Sequence, residues 1–327
     1  MVAARANFTH DLWLTPMSGA KALTPSVPIT VGALAANPSV ASTGRIAYAT
    51  LAAQVGLWKL PLDVSTGRVT GEMQRLWREN VRAGYAYVSA NGKKLAYASN
   101  RSGDPDIWVR DLESGAERQL TSSKFDEVRG VLSPDGKLVA IWRPKARIYT
   151  IPSDGGEEKL VCEECGLVNA WSADGKKLLF QDVASGRRFA SLDLATGRQQ
   201  DLPGFAMSPD GRWVAGARSR NARRELFVAP VTDGGSTKPV RIAEGAAGPV
   251  GLYWSPDGNV LYYFLEDTLW ARKLDATKAP VGEPIVVKRF SGRDRPTFSA
   301  NCVTKDGIYF TMQEMRANVW IAEPESR

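Results

Sequence analysis

Ser133-Pro134-Asp135-Gly136-Lys137 is a short phrase that the chain repeats, and its repetition decides the fold. It returns as Ser172-Ala173-Asp174-Gly175-Lys176, Ser208-Pro209-Asp210-Gly211-Arg212 and Ser255-Pro256-Asp257-Gly258-Asn259. Looser copies stand at Ser89-Ala90-Asn91-Gly92-Lys93, Ser42-Thr43-Gly44-Arg45 and Lys305-Asp306-Gly307. The residue types are those of a tight reversal: Pro presets φ at the first corner, Asp or Asn bonds its own backbone, and Gly accepts a positive φ. The spacing of roughly forty residues is the length of a propeller blade.

Outward from each turn, an apolar run follows, as in Leu138-Val139-Ala140-Ile141-Trp142 or Val260-Leu261-Tyr262-Tyr263-Phe264, and reads as a buried strand. Farther on comes an apolar-aromatic pair: Leu57-Trp58, Ile107-Trp108, Leu226-Phe227, Leu269-Trp270 or Val319-Trp320. A Gly-bearing turn such as Glu113-Ser114-Gly115-Ala116 then leads to a fourth short strand. A four-stranded unit of this kind has bare apolar faces, which only neighbouring copies can cover, and radial stacking gives a propeller. Seven signatures, beginning near residues 40, 85, 129, 169, 205, 251 and 298, predict an all-β, seven-bladed propeller of four-stranded antiparallel blades, one domain over residues 1–327.

The ends predict ring closure. Ile308-Tyr309-Phe310-Thr311 and Asn318-Val319-Trp320-Ile321 read as second and third strands of a last blade that lacks a fourth. Residues 1–30 are expected to supply it through Lys21-Ala22-Leu23-Thr24, which protects edges an open array would expose. Asp11-Leu12-Trp13-Leu14 is a further third-strand copy, one strand more than closure needs. Either one stretch packs outside the ring, or the chain is the tail of a longer protein with a preceding blade.

Composition agrees with a folded, turn-rich protein: 43% hydrophobic, 24% charged, 30 Gly and 19 Pro in 327 residues. The chain has no apolar run long enough to span a bilayer and no hydrophobic stretch after Arg5, so neither a membrane span nor a signal peptide is expected. An excess of 42 basic over 35 acidic side chains favours anionic partners without choosing among them. Cys162 and Cys165 have the spacing of half a zinc site, but Cys302 and the only histidine, His10, fall in other blades. No metal and no cofactor is therefore expected, and the pair is left as a small disulfide or two thiols, the disulfide favoured outside the cytoplasm.

Catalytic patterns are missing. A Ser-His-Asp triad would have to recruit His10, and no Gly-x-Ser-x-Gly elbow, phosphate loop or dinucleotide fingerprint is present. Asp135, Asp174, Asp210 and Asp257 are the candidates for channel-facing acids of a glycan-cleaving propeller, yet each stands where a turn needs it. The positive signal lies in loops between second and third strands, which emerge on one face. Arg143, Lys145 and Arg147, then Arg187 and Arg188, then Arg218, Arg220, Arg223 and Arg224 form one basic sector, a candidate surface for an acidic partner. Asp126, Glu127, Glu163 and Glu164 on the same face partly neutralise it. Few aromatics stand among these charges, which disfavours nucleic acid.

Tyr97-Ala98-Ser99-Asn100-Arg101-Ser102-Gly103-Asp104-Pro105-Asp106-Ile107-Trp108-Val109 is the fullest instance of a repeat that resembles the TolB-like, WD-repeat-like propeller family from about residue 40 onward. The order of repeats and the ending Asn318-Val319-Trp320-Ile321-Ala322-Glu323 are also similar to propeller regions that follow serine/threonine kinase or winged-helix domains in some soil bacteria. No kinase signature is present in the chain. The chain is expected to be a monomeric, non-catalytic module that binds a protein or a small ligand, and the resemblance implies a periplasmic or otherwise extracytoplasmic place as the sensing or docking part of a larger signalling protein. The alternative is a carbohydrate-active hydrolase or lyase using channel-facing carboxylates.

Overall fold

The four full turns fold alike, and their chemistry explains their residues. In each, the Ser hydroxyl donates to the Asp carboxylate two residues on, at 2.7, 2.6, 2.5 and 2.5 Å for Ser133–Asp135, Ser172–Asp174, Ser208–Asp210 and Ser255–Asp257. The same carboxylate accepts the amide that follows the glycine, and the glycines hold φ of 74°, 70°, 69° and 70°. The aspartates thus belong to the turns. Their serine partners hold Asp135 and Asp174 below the usual carboxylate range; Asp210 and Asp257 are lowered too, their partial burial outweighed by the same bonds. Asp63, bonded by Ser65 and Thr66, falls to about 2. A carboxylate with a depressed folded pKa stabilises fully above its unfolded value of about 3.9 and loses that contribution as pH falls through the folded value. Tm is therefore expected to stay level from pH 7 to about 5 and to fall between about pH 4 and 2. A fall already complete at pH 5.5 would contradict this.

The computed structural model describes residues 2–7, 9–15, 17–18, 21–22, 25–30, 35–79, 86–102, 104–125, 127, 129–182, 188–220, 223–231, 238–246, 251–290 and 296–323. Contacts divide the chain into two compact units, Val55–Gln313 and Met1–Gln54 with Glu314–Arg327.

Within Val55–Gln313 the described residues form five four-stranded antiparallel sheets, and a sixth blade is the part of a larger sheet that falls in this unit. Blade I is Ala86–Val88, Lys94–Ser99, Asp106–Asp111 and Glu117–Gln119; blade II is Gly130–Leu132, Leu138–Arg143, Arg147–Pro152 and Lys159–Cys162. Blade III is Leu167–Trp171, Lys177–Asp182, Arg188–Asp193 and Gln199–Leu202; blade IV is Ala206–Met207, Trp213–Arg220, Arg223–Pro230 and Val240–Ala246. Blade V is Leu252–Trp254, Val260–Leu265, Thr268–Leu274 and Pro280–Arg289. Blade VI joins distant parts of the chain: Pro296–Thr304, residues 307–313, residues 55–63 and Gln74–Glu79.

Apolar faces explain the ring. Six buried clusters fill the six gaps between neighbouring blades. Leu60 and Leu62 of blade VI pack with Tyr262 and Phe264 of blade V, and Leu57 and Trp77 of blade VI pack with Ala86 and Tyr97 of blade I. Residues 55–79 are therefore wedged between the last and first complete blades, which closes the circle. Each large side chain buried this way stabilises by about 1.5–3 kcal/mol. The third-strand aromatics Trp58, Trp108 and Trp270 border these clusters, as their spacing suggested.

The described residues thus form six blades, where seven signatures led to an expectation of seven. Ile46–Asp63 and Gly307–Ala322 are each one continuous strand, so the signatures near 40 and 298 share a sheet. The physical reason is turn chemistry. Leu51-Ala52-Ala53-Gln54 and Gln313-Glu314-Met315-Arg316-Ala317 hold no Gly, Pro, Asn or Asp to reverse the chain, unlike the hairpin loop at Glu266-Asp267. Closure comes from Gln74–Glu79 as fourth strand, not from residues 1–30: Lys21–Ala22 pairs with Met17–Ser18 in a two-stranded ribbon, and Leu23 and Thr24 lie outside the described residues.

The other unit contains the sheet Val2–Asn7, Thr9–Leu14 and Val27–Pro28, with Leu12 fully buried and its amide bonded to Thr30 Oγ1 at 2.9 Å. Ala35–Val40 pairs with residues 46–50, and Trp320 Nε1 donates to Thr50 Oγ1 at 2.8 Å. Among the described residues no helix is long and apolar enough to cross a membrane. Cys162, the last residue of blade II, forms a disulfide with Cys165 in the connection to blade III.

Candidate functional site

The first strand of every blade runs nearest the axis, and these strands surround a cavity of about 610 Å³. The repeat itself sets the wall. Two residues before the turn Ser or Thr stand Tyr87, Val131, Ala170, Ala206, Tyr253 and Cys302; the residue after the turn Ser is Ala90, Pro134, Ala173, Pro209 or Pro256, and all line the cavity. The wall is braced between blades: Trp171 Nε1 donates to Val131 O and Trp254 Nε1 to Ala206 O, both at 2.9 Å. Burial pushes the Cys302 thiol up to about 12.

At the N-terminal ends of the first strands the wall turns polar, with Arg129, Asn169 and Gln181. Arg129 immediately precedes strand Gly130–Leu132. In the first strand of blade III the register shifts between Val168 and Ala170, so Asn169 is the extra residue of a bulge. Bulges re-aim side chains. Here Asn169 Oδ1 accepts Arg129 Nη1 at 2.7 Å, and Val168 O lies 3.4 Å from the same nitrogen. Gly166 is required beside it, since a Cβ would stand 1.8 Å from Gln181 O. Gly251 leaves room for the Tyr253 phenol, whose oxygen would lie 2.3 Å from an added Cβ. The described lining residues include one charged group, Arg129, and neither a carboxylate nor a histidine. The arrangement can strip water from an apolar body, and no acid-base pair stands among the described lining residues.

Sequence reasoning did not single out Tyr87, Arg129, Asn169 or Tyr253. The signal was available as a fixed offset from the turn serine, which marks the innermost strand of every repeat.

The described basic residues are brought onto hairpins of blades II to IV, where carboxylates of those blades and of their connections supply partners. Arg143 bonds Glu127 at 2.7 Å and Glu158 at 2.6 Å; Arg147 reaches Glu163 at 3.4 Å and Arg188 reaches Asp201 at 3.2 Å. Arg218 pairs with Glu225 at 2.5 Å and Arg223 with Glu244 at 2.9 Å. Lys145 sits exposed in the tight turn at φ 67°, and Arg224 is half-buried. Arg187, the Arg220 side chain and Asp126 lie outside the described residues.

No family model matches the chain. Among curated proteins it is similar to an uncharacterized protein of Agrobacterium fabrum, 28% identical over 194 residues, which is 55% of this chain and 62% of that protein. It also matches Tricorn protease homolog 1 of Streptomyces coelicolor, 32% identical over 91 residues, 27% of this chain and 8% of that one. The uncharacterized peptidase YuxL of Bacillus subtilis is 25% identical over 197 residues, 57% of this chain and 28% of that one. The chain thus covers less than two thirds of each of these relatives. Among solved structures, a protein assigned as TolB from Agrobacterium tumefaciens superposes with a TM-score of 0.60 at 21% identity, over 81% of this chain and 99% of that one. The chain folds as a TolB-like propeller. TolB from Acinetobacter baumannii, with a TM-score of 0.51 at 15% identity over 83% of this chain and 67% of its own, shares that fold. So does a chain of the nidogen/laminin complex, with a TM-score of 0.52 at 10% identity over 80% of this chain and 98% of its own. What the TolB-like propeller does rests on its site, because one fold serves many functions.

Proposed function

We propose that this TolB-like propeller is a non-catalytic binding module that takes a ligand or a protein partner at its central cavity, with the basic hairpins of blades II to IV as the surrounding docking surface. In this reading it is the extracytoplasmic, periplasmic sensing or docking part of a larger signalling protein. The observation that carries it is the cavity: about 610 Å³, braced by inter-blade tryptophan bonds, lined by Tyr87, Trp171, Phe205 and Tyr253, with no carboxylate among the described lining residues. That size and apolar character are those of ligand sites. The aspartates that a glycan-cleaving enzyme would need are bound up in hairpin turns.

The test fills the cavity. Ala170→Trp places an indole inside it without touching the turns. Compounds that raise the Tm of the wild-type protein in a fragment screen, as binding to the folded state requires, are expected to leave the variant's Tm unchanged. Equal shifts in both proteins, or turnover above buffer on pectin and glycoside substrates, would overturn the proposal.

A further inference from the structure

We infer that the strand edge at Asn318–Ala322 joins two copies of this chain, each pairing antiparallel with the same segment of the other across a two-fold axis. This interface is separate from the cavity, and it replaces the monomer expected from sequence. Three observations carry it.

The first is exposure. Val319, Trp320 and Ile321 are consecutive, and they are 78%, 52% and 67% exposed. Neighbouring residues of a strand point to opposite faces, so neither face of this segment is covered. In the matching stretch of the repeat, Ile107-Trp108-Val109, both Ile107 and Val109 are buried against blade II. An apolar stretch left bare in one copy of a repeat that buries it elsewhere marks an interaction site.

The second is the free edge. Asp106–Asp111 is paired on both sides, with Lys94–Ser99 and with Glu117–Gln119. Gly307–Ala322 has Ile46–Asp63 on one side, but on the other side Pro296–Thr304 pairs only with residues 307–312. Among the described residues no strand pairs with Asn318–Ala322 on that side. Its outward N–H and C=O groups form a template for another extended strand, which defines the backbone of what covers it.

The third is self-complementarity. Antiparallel pairing centred on Trp320 sets Val319 opposite Ile321 and Trp320 opposite Trp320, apolar against apolar at every step, with Asn318 opposite Ala322. Glu323 then falls across from Ala317 and keeps Arg45 at 2.9 Å, so no like charges meet. Centring on Ile321 instead would set Val319 against Glu323. Trp320 is already anchored, its Nε1 donating to Thr50 Oγ1 at 2.8 Å, so association costs it little rotamer freedom. A contact that uses one patch twice closes on itself and stops at the dimer.

The experiment is sedimentation velocity of the full chain from submicromolar to about 100 μM. The 35.6 kDa monomer is expected to give way to a species of twice that mass as concentration rises. Trp320→Asp, at a half-exposed position, sets like charges opposite each other and is expected to weaken the dimer about 30-fold or more, the loss of a central aromatic anchor. Register is read by Asn318→Cys combined with Ala322→Cys in a Cys302→Ser background. The two positions lie about 13 Å apart within one strand, too far to bridge, yet stand opposite each other between copies. Oxidation is expected to give a covalent dimer from the double variant and little from either single one. The concentration series and the cross-link do not use Trp320→Asp, so poor folding of that variant does not blunt the test. A monomer at every concentration would overturn the inference and leave the edge to a strand of another protein. A dimer indifferent to Trp320→Asp, or no cross-link in the double variant, would overturn it as well.

Discussion

Phe310→Ala is expected to lower the unfolding free energy by about 3–5 kcal/mol and Tm by roughly 10 °C. Phe310 is fully buried where blade VI meets blade V, among Leu60, Leu62, Tyr262 and Phe264. The Phe290 ring meets it edge-on, with centroids 5.5 Å apart and planes at 86°. Removing the ring loses its transfer free energy and leaves a void that four strands from distant parts of the chain must line. Val319→Ala, on the same strand but 78% exposed, is the internal control and is expected to change stability by less than about 0.5 kcal/mol. Urea unfolding followed by tryptophan fluorescence reads both. Two variants of equal, small effect would remove Phe310 from the closing interface.

Glu127→Ala is the second large effect, about 3 kcal/mol. Glu127 is 1% exposed, and its carboxylate accepts Arg143 Nε at 2.7 Å. Arg143 lies 4.9 Å over the Tyr149 ring and keeps only the half-exposed Glu158 once Glu127 is gone. A buried guanidinium short of its counter-charge is what makes such truncations severe, whereas Glu127→Gln, which retains an acceptor, is expected to fall well below that figure. Chemical denaturation of both variants separates them, and equal losses would contradict the ion-pair reading. The result also bears on the basic hairpins, because Arg143 holds its blade together before it meets any partner.

The blades were legible because the turn is over-specified: Ser, Asp and Gly each satisfy a different backbone demand, so Ser133-Pro134-Asp135-Gly136 and its copies fold one way. The number of blades was less legible. A repeat signature marks strand types, and nothing in Ile46-Ala47-Tyr48-Ala49-Thr50 states which sheet its continuation joins; only the lack of reversing residues in Leu51-Ala52-Ala53-Gln54 hinted at a continuous strand. The basic sector was visible as charge, but its pairing depends on the fold: Glu225 and Glu244 stand on the third and fourth strands of blade IV, while Glu127 and Glu158 lie in connections outside the strands of blade II. The cavity was hidden for a related reason. Arg129 and Asn169 belong to successive blades and meet only through a bulge, which leaves no pattern in a single sequence.

Spin labels at Ser65→Cys and Lys273→Cys, in a Cys302→Ser background, measure the central structural claim directly by double electron-electron resonance. Residues 55–79 pack on blade V: Tyr262 Oη donates to Val64 O at 2.8 Å, and a Cβ added at Gly67 would stand 2.9 Å from the Ala271 Cβ. A short distance between the two labels is the result expected of six blades closed by residues 55–79, and a distance that spans the ring would contradict it.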